Sequence, residues 1–209
     1  MAAEGAASPR LLIVFYSRGG SVETLATAIA EGAQGQGAEV RIRRARELVG
    51  PEIMDRVPGW RDTAARMNAL YEAPTLADAE WADGLLIGAP TRFGTPSTEL
   101  LAWLETLGPL WLSQKLLDKV GSVFTSTSSP HGGMEATLLG LYPTLAHLNL
   151  VIVPTGYGDP ALFRAGTPYG AASASFGMER RPPSDDDLAV ARYQGARVAR
   201  VAQALRTPR

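Results

Sequence analysis

The 209-residue sequence contains no cysteine, only two histidines and almost no net charge. Without cysteine the chain cannot use a thiolate nucleophile, a disulfide, an iron–sulfur cluster or a cysteine zinc site. With only His131 and His147, a histidine metal site would need carboxylate ligands as well, and we predict no metal. A net charge of −1 gives no general attraction to nucleic acid or to an anionic membrane, so we expect neither as a partner.

Long hydrophobic runs are also missing. No segment approaches the roughly 18 apolar residues that a membrane-spanning helix requires. The first ten residues, MAAEGAASPR, do not have the basic region and apolar stretch of a secretory signal, so we expect a cytoplasmic protein. We predict a flexible arm over residues 1–10. The length and the 45% hydrophobic content favour a single domain over residues 11–206, with an insertion at about residues 47–80.

The chain is organised around residues 11–30, LLIVFYSRGGSVETLATAIA. Six apolar residues predict a buried strand, and Val22, Leu25 and Ile29 then recur at helical spacing. Between them lies a turn of hydroxyls and glycines, SRGGS. A strand, a small-residue turn and a helix point backbone N–H groups at an anion, which favours a phosphate. The alternative interpretation of this stretch alone is an ordinary strand-to-helix turn with a serine cap.

Two familiar phosphate-binding motifs are missing from this turn. It contains neither G-K-S/T nor G-x-G-x-x-G, which excludes a nucleoside-triphosphate loop and a dinucleotide fingerprint. A hydroxyl-rich loop without lysine suits a monophosphate that is bound rather than transferred.

Apolar segments and helical segments alternate along the rest of the chain. We predict further strands at residues 38–44, 84–89, 120–125 and 150–154, and helices near residues 61–71, 98–107, 134–147 and 185–205. A long Gly- and Pro-rich loop is predicted at residues 155–183. This alternation predicts an α/β fold, a flavodoxin-like doubly wound five-stranded parallel sheet with helices on both faces.

The second predicted strand is rich in arginine. Arg41, Arg43 and Arg44 lie in it, and Arg46 follows directly. These side chains can be interpreted as a nucleotide clamp. Charge on an edge strand commonly prevents aggregation of the sheet, however, and we interpret this segment as a solvated edge strand.

The carboxyl ends of the predicted strands carry the chemically special loops. Ligands of a doubly wound sheet bind beyond this edge. The loops there, SRGGS, PTRFGTPS, STSSPHGG and the segment from TGYGDP to GTPYGA, are dense in Gly, Pro, Ser and Thr, which predicts a cofactor site. Thr91, Arg92 and Phe93 offer a hydroxyl, a guanidinium and a ring to a flat heteroaromatic ligand.

Together these segments resemble the WrbA family of flavodoxin-like, FMN-dependent NAD(P)H:quinone oxidoreductases. The resemblance rests on SRGGSVETLA, GAPTRFGTPSTELLAWLE, GPLW, TLAH, VPTGYG, GTPYGA and ARYQG, and it runs from about residue 11 to residue 204. It implies tightly but non-covalently bound FMN, with NAD(P)H as co-substrate and a quinone as acceptor. Members of the family are typically homotetramers with sites near the subunit interfaces, and we expect the same here.

The resemblance also implies which residues form the site. The cofactor-binding residues would be Ser17, Arg18, Gly19, Gly20, Ser21, Val22, Pro90, Thr91, Arg92, Phe93, Gly94, Ser126, Thr127, Ser128, Ser129, Gly132, Gly133 and His147. Arg92 and His147 would act as electrostatic or proton-donating catalytic helpers, with His147 approaching the flavin from a neighbouring subunit. Trp111 would wall the pocket in which nicotinamide and quinone take turns. Many relatives have a large residue where this chain has Gly19.

Two other functions remain open at this point. A one-electron carrier of the flavodoxin type usually docks through an acidic face, and a net charge of −1 speaks against one. A redox sensor or protein-binding regulator that binds FMN without significant turnover is not excluded by the sequence. The preference between NADH and NADPH is also undecided.

Overall fold

The computed structural model describes residues 7–206. The strands in this range are β1 (Arg10–Phe15), β2 (Glu39–Arg44), β3 (Gly84–Arg92), β4 (Thr95–Pro96), β5 (Val120–Thr127), β6 (Val151–Ile152) and β7 (Ala172–Ala174). The helices are α1 (Ser21–Gln34), α2 (Pro51–Met54), α3 (Trp60–Leu70), α4 (Leu76–Trp81), α5 (Thr98–Glu105), α6 (Gly108–Leu112), α7 (Met134–His147) and α8 (Asp185–Leu205). None of these helices is long and apolar enough to cross a membrane.

The main sheet is parallel, with the strand order β2-β1-β3-β5-β6. Leu11 of β1 lies opposite Val40 on one side and Gly84 on the other. The chain therefore adds β2 on one side of β1 and later strands on the opposite side, which places the switch point between β1 and β3. The predicted doubly wound parallel sheet is confirmed. β4 adds a short antiparallel hairpin at the end of β3.

Both faces of the sheet are covered by helices. Leu11, Ile13 and Phe15 contact the core under α1 and α8. Leu12, Val14 and Tyr16 contact the core under α4, α5, α6 and α7. All six side chains are fully buried, which explains why this strand is a continuous apolar run rather than an alternating one.

Two separate segments occupy the fifth position of the sheet. The predicted strand at residues 150–154 is shortened to Val151–Ile152, which pairs with residues 120–121 of β5. The predicted loop at residues 155–183 contains β7 (Ala172–Ala174), which pairs in parallel with residues 125–127. The prediction was wrong at these three residues because pairing with β5, not an apolar run, makes them a strand. β7 extends the sheet at its carboxyl edge.

The segment between β2 and β3 forms three helices, α2, α3 and α4. The edge interpretation of the arginines holds only in part. β2 is an edge strand, and Arg41 and Arg43 are partly exposed and pair with Asp78 at 3.1 and 3.0 Å. The interpretation is wrong for Arg44, which is completely buried and forms an ion pair with Glu47.

Residues 9 and 10, which the prediction places in a flexible arm over residues 1–10, belong to the folded structure. Residues 1–6 lie outside the described part of the chain. Pro9 is buried, and its carbonyl accepts a hydrogen bond of 2.9 Å from the backbone N–H of Glu39. Arg10 already belongs to β1. The first strand therefore begins one residue before the predicted position.

Candidate functional site

The β1–α1 loop leaves backbone N–H groups free at the start of α1. Gly20 precedes the helix with a φ of 102°, a conformation that favours glycine. Its N–H donates to Ser17 Oγ at 3.0 Å, which holds the turn. No side chain of residues 7–206 caps α1, so the N–H groups of its first turn are available to an anion. The geometry is that of a phosphate-binding turn.

The β3–β4 hairpin presents an aromatic ring at the same edge. Phe93 and Gly94 form its turn with φ values of 54° and 83°. Thr95 Oγ1 donates to the carbonyl of Arg92 at 2.8 Å. The Phe93 side chain is fully exposed although it is large and apolar. Such a ring gains free energy when a flat ligand or another chain covers it.

The β5–α7 loop lies directly against this hairpin. Gly133, with a φ of 94°, precedes α7, and no side chain in the described chain caps that helix. A Cβ atom at Gly133 would lie 3.1 Å from Gly94 Cα, so only glycine allows this approach. Thr137 Oγ1 also donates to Thr91 Oγ1 at 2.7 Å. These contacts place the hairpin and the start of α7 side by side.

The chain after β7 closes the site next to the β5–α7 loop. The N–H of Ser175 donates to the Thr127 carbonyl, and the N–H of Gly177 donates to the Ser128 carbonyl, both at 2.9 Å. Ser173 pairs with Ser126 across the sheet. The Ser173 hydroxyl is buried and has no hydrogen-bond partner among residues 7–206. A buried hydroxyl without a partner is costly.

Two arginines meet at the switch point of the sheet. Arg18 lies in the β1–α1 loop and Arg92 in the β3–β4 hairpin. Burial lowers the pKa of Arg92, and the positive charge of Arg18 lowers it further. The site therefore concentrates positive charge where the turn of α1 offers free N–H groups.

Tyr16 lies directly below these arginines, at the end of β1. Its side chain is fully buried. Burial raises the pKa of the Tyr16 phenol, and the negative charges of Glu99 and Glu47 raise it further. The phenol therefore stays protonated at neutral pH.

The end of β2 and the inserted segment support the β1–α1 turn from outside. Arg44 Nη2 donates to the carbonyl of Ser17 at 3.1 Å. Burial tends to raise the pKa of Glu47, but the hydrogen bond and charge of Arg44 outweigh it, and the pKa is lowered. From α3, Arg66 pairs with Glu23 in the first turn of α1. The turn is thus tied to the insertion by buried and half-buried charges.

The structure brings together most of the predicted site residues. Residues 17–22, 90–94 and 126–133 share the carboxyl edge of the sheet. Trp111 and His147 do not join them within one chain. His147 ends the 14-residue α7, about 20 Å along the helix from its start at this edge. Trp111 lies on α6, beyond the far end of α5, and both side chains are exposed. Their roles stay predictions.

The sequence analysis missed four residues of this edge. They are Tyr16, Thr137, Ser173 and Trp60, whose ring centroid lies 3.7 Å from the guanidinium carbon of Arg18. Tyr16 had a usable signal, because it carries a hydroxyl at the end of a buried strand, directly before Ser17. The other three have none, since their positions depend on contacts between segments far apart in the chain.

A family model described as NADPH-dependent FMN reductase matches residues 7–158. The chain belongs to this family. A relative from Methylocella silvestris is 42% identical over 202 residues, covering 94% of this chain and 98% of that protein. Another from Rhizobium rhizogenes is 39% identical over 203 residues, with the same coverage. Both are named NAD(P)H dehydrogenase (quinone), which is the activity that the resemblance predicts.

Solved structures agree with this assignment. The crystal structure of a flavodoxin, WrbA-like protein from Agrobacterium tumefaciens has a TM-score of 0.66 and 26% identity. That match covers 94% of this chain and 99% of the other. A flavodoxin from the domain Archaea, at 14% identity and a TM-score of 0.57, shares the fold. The resemblance to the WrbA family and the flavodoxin-like fold are confirmed.

Proposed function

We propose that the protein is an FMN-dependent oxidoreductase that transfers two electrons, as hydride, from NAD(P)H to quinones and gives hydroquinones. The observation that carries this proposal is the convergence of the uncapped β1–α1 turn, the β3–β4 hairpin and the β5–α7 loop at one edge of the sheet. The relatives named for this activity, at 39–42% identity over nearly their whole length, support it.

The residues at this edge fit FMN. The turn at Gly20 and the start of α1 offer N–H groups for the phosphate. The exposed ring of Phe93 suits a flat heteroaromatic system. The close approach of Gly133 to Gly94 keeps the β5–α7 loop against the hairpin at this edge.

FMN held at this edge would supply the two-electron redox chemistry between the nicotinamide and the quinone. The side chains of the protein would position the ligands and polarise the reacting groups. Arg92 supplies a fixed positive charge at the switch point, and the protonated phenol of Tyr16 adds no negative charge near it. No nucleophile is needed, which agrees with a chain that has no cysteine.

The proposed assembly is a homotetramer in which Trp111 and His147 reach the site of a neighbouring subunit. Both are exposed and distant from the site of their own chain, and Leu112 beside Trp111 is 78% exposed. An apolar surface of this kind is typical of an interface. Light scattering should give four times the chain mass of 22.2 kDa, and a monomer at working concentration would contradict this assembly.

An anaerobic visible spectrum tests the reaction. The FMN-loaded protein is treated with one equivalent of NADH or NADPH and then with benzoquinone. We expect bleaching in a single two-electron step and full recovery with the quinone. FMN binding without reduction by either coenzyme would favour a carrier or a sensor, and failure to bind FMN would overturn the proposal.

A further inference from the structure

The chain that follows β7 forms a closed loop, residues 175–181, at the carboxyl edge of the sheet. The N–H of Arg181 donates to the carbonyl of Ser175 at 2.9 Å, which brings the two ends of the loop together. The N–H of Gly177 donates to the carbonyl of Ser128 at 2.9 Å, which fastens the loop to the β5–α7 loop. The 175–181 loop is therefore a fixed part of this edge.

The loop lies beside the candidate flavin site, on the side away from the β1–α1 turn. β7 pairs with β5, and β5 pairs with β3, so β7 lies about 10 Å from β3 at the usual strand spacing. β1, whose loop offers N–H groups to the phosphate of FMN, lies on the other side of β3. A dinucleotide with its reacting ring over β3 and β5 is long enough to reach the 175–181 loop with its other end.

Two residues of the loop have an unusual backbone conformation. Phe176 has a φ of 55° and Arg180 a φ of 48°, in the left-handed region that favours glycine. Larger residues remain in this conformation only where the surrounding contacts hold them, and such positions are concentrated in ligand sites. The loop thus presents a ring and a guanidinium at positions where glycine would cost less.

Phe176 offers part of its ring to a ligand. The guanidinium carbon of Arg181 lies 4.5 Å from the centroid of this ring, which is a cation–π contact. The Phe176 side chain is still 41% exposed. Arg181 also pairs with Glu179, the only carboxylate of the loop. The ring is therefore held from one side and can stack on a nucleotide base with its exposed part.

Arg180 is the cation of the loop that is available to an anion. Its side chain is exposed and has no hydrogen-bond or ion-pair partner within residues 7–206. Proteins that bind nicotinamide coenzymes recognise the 2′-hydroxyl of the adenosine ribose with a carboxylate, and the 2′-phosphate with an arginine. Here the carboxylate of Glu179 is engaged by Arg181, and Arg180 is not engaged. The loop therefore suits a 2′-phosphate better than a 2′-hydroxyl.

We propose that the 175–181 loop binds the adenosine end of NADPH, with Arg180 on the 2′-phosphate and Phe176 against the adenine. The inference rests on the proposed function, because the coenzyme comes from it. Arg181 is a positioning residue that holds the Phe176 ring. The protein should therefore prefer NADPH to NADH.

Adenosine 2′,5′-bisphosphate and adenosine 5′-monophosphate test the assignment of Arg180, because they differ only in the 2′-phosphate. Calorimetry on the FMN-loaded protein should show that the bisphosphate binds about tenfold more tightly, as expected for a charge-assisted hydrogen bond. Arg180→Met should abolish this preference and leave the affinity for the monophosphate within about twofold. If Arg180→Met keeps the preference, the assignment is wrong.

Steady-state kinetics give a second measurement. Arg180→Met should raise the KM for NADPH about tenfold and change the KM for NADH by less than about twofold. A similar rise in both KM values would assign Arg180 to the pyrophosphate that the two coenzymes share, and would overturn the assignment to the 2′-phosphate.

Arg200→Met is the matched control. Arg200 lies on α8, is exposed and, like Arg180, has no side-chain partner in the described part of the chain. It lies toward the end of α8 that reaches the amino edge, where Arg206 pairs with Asp83. The control removes the same charge, and we expect an unchanged preference for the bisphosphate. A loss equal to that of Arg180→Met would show a general electrostatic effect and would contradict the proposal.

Two variants test the role of the Phe176 ring. Phe176→Leu should weaken the bisphosphate and the monophosphate by the same factor, about fivefold or more, because both contain adenine. Phe176→Tyr keeps the aromatic face and should retain both affinities. Unchanged binding of both nucleotides to Phe176→Leu would contradict the contact with adenine.

The outcomes for this inference are distinct from those for the proposed function. If the wild-type protein reduces quinone but uses NADH and NADPH equally well, and Arg180→Met changes neither KM, the inference is wrong and the proposed function stands. A wild-type protein whose FMN is reduced by neither coenzyme would instead defeat the proposed function.

Discussion

Two pairs of arginines at opposite edges of the parallel sheet differ in their partners. At the amino edge, Arg10 and Arg206 both pair with Asp83, at 3.2 and 2.8 Å. At the carboxyl edge, Arg18 and Arg92 have no carboxylate partner among residues 7–206. The two arginines at the amino edge are therefore neutralised by one carboxylate of the chain, and the two at the carboxyl edge are not.

Two buried serines of the sheet show a similar difference. Ser122, in the amino half of β5, donates to the Val153 carbonyl at 2.6 Å and accepts from Gln194 at 2.7 Å. Ser173, at the carboxyl edge, has a buried hydroxyl without any partner in the described chain. An enzyme that binds a cofactor leaves such groups unsatisfied at one end of the fold, because the cofactor supplies their partners.

The strongest test of this comparison is Arg44, a paired arginine at the carboxyl edge. Arg44→Met leaves Glu47 buried without its partner, and we expect a loss of about 3–5 kcal/mol in the free energy of unfolding. Urea denaturation of the apoprotein measures it. Arg18→Met, which breaks no ion pair, should cost less than about 1 kcal/mol. Equal losses in the two variants would show that pairing does not separate the structural arginines from the binding ones.

The serines at the two ends give a matched pair of Ser→Ala variants. Ser122→Ala leaves a buried carbonyl and part of a buried amide without partners, so we expect a loss of about 1–3 kcal/mol. Ser173→Ala removes an unsatisfied hydroxyl and should change the stability of the apoprotein by less than about 0.5 kcal/mol or raise it. Thermal unfolding of both apoproteins measures the difference. A large loss with Ser173→Ala would mean that its hydroxyl is already satisfied.

Two glycines at α7 allow a substitution in the candidate site to be compared with one in the scaffold. Gly133→Ala forces a side chain into a φ of 94° and toward Gly94 Cα, so we expect a loss of about 1–2 kcal/mol and weaker flavin binding. Gly140 lies inside α7, where a Cβ meets nothing within 4 Å. Gly140→Ala should therefore gain about 0.5–1 kcal/mol and leave flavin binding unchanged. Denaturation and fluorescence quenching on both variants check this, and equal flavin affinities would contradict it.

Most of the sheet and the three loops of the candidate site could be predicted from sequence, because burial on both faces and glycine-rich turns are local signals. β1 is the clearest example, since every residue from Leu11 to Phe15 is buried. The burial of Arg44 could not be predicted, because it depends on Glu47 and on the inserted helices around it. β7 has three small residues and becomes a strand only by pairing with β5. Local sequence patterns indicate which edge of the sheet carries the candidate site. They do not indicate which of the charged side chains at that edge have no ion-pair partner in the described part of the chain.

The smallest expected effect concerns the pH dependence of the amino edge. Burial tends to raise the pKa of Asp83, but the hydrogen bonds of Arg10, its charge and that of Arg206 outweigh it, and the pKa is lowered. A lowered carboxyl pKa stabilises the folded state above the unfolded pKa of about 3.9, and this contribution is lost as the pH falls through the lower folded pKa. Asp83→Asn should therefore cost about 1 kcal/mol at neutral pH and nothing in strong acid. Flavin affinity should stay unchanged, because Asp83 lies at the amino edge of the sheet and the candidate site lies at the carboxyl edge. A pH-independent loss of stability would show that Asp83 acts through hydrogen bonds that asparagine does not replace, and not through its charge.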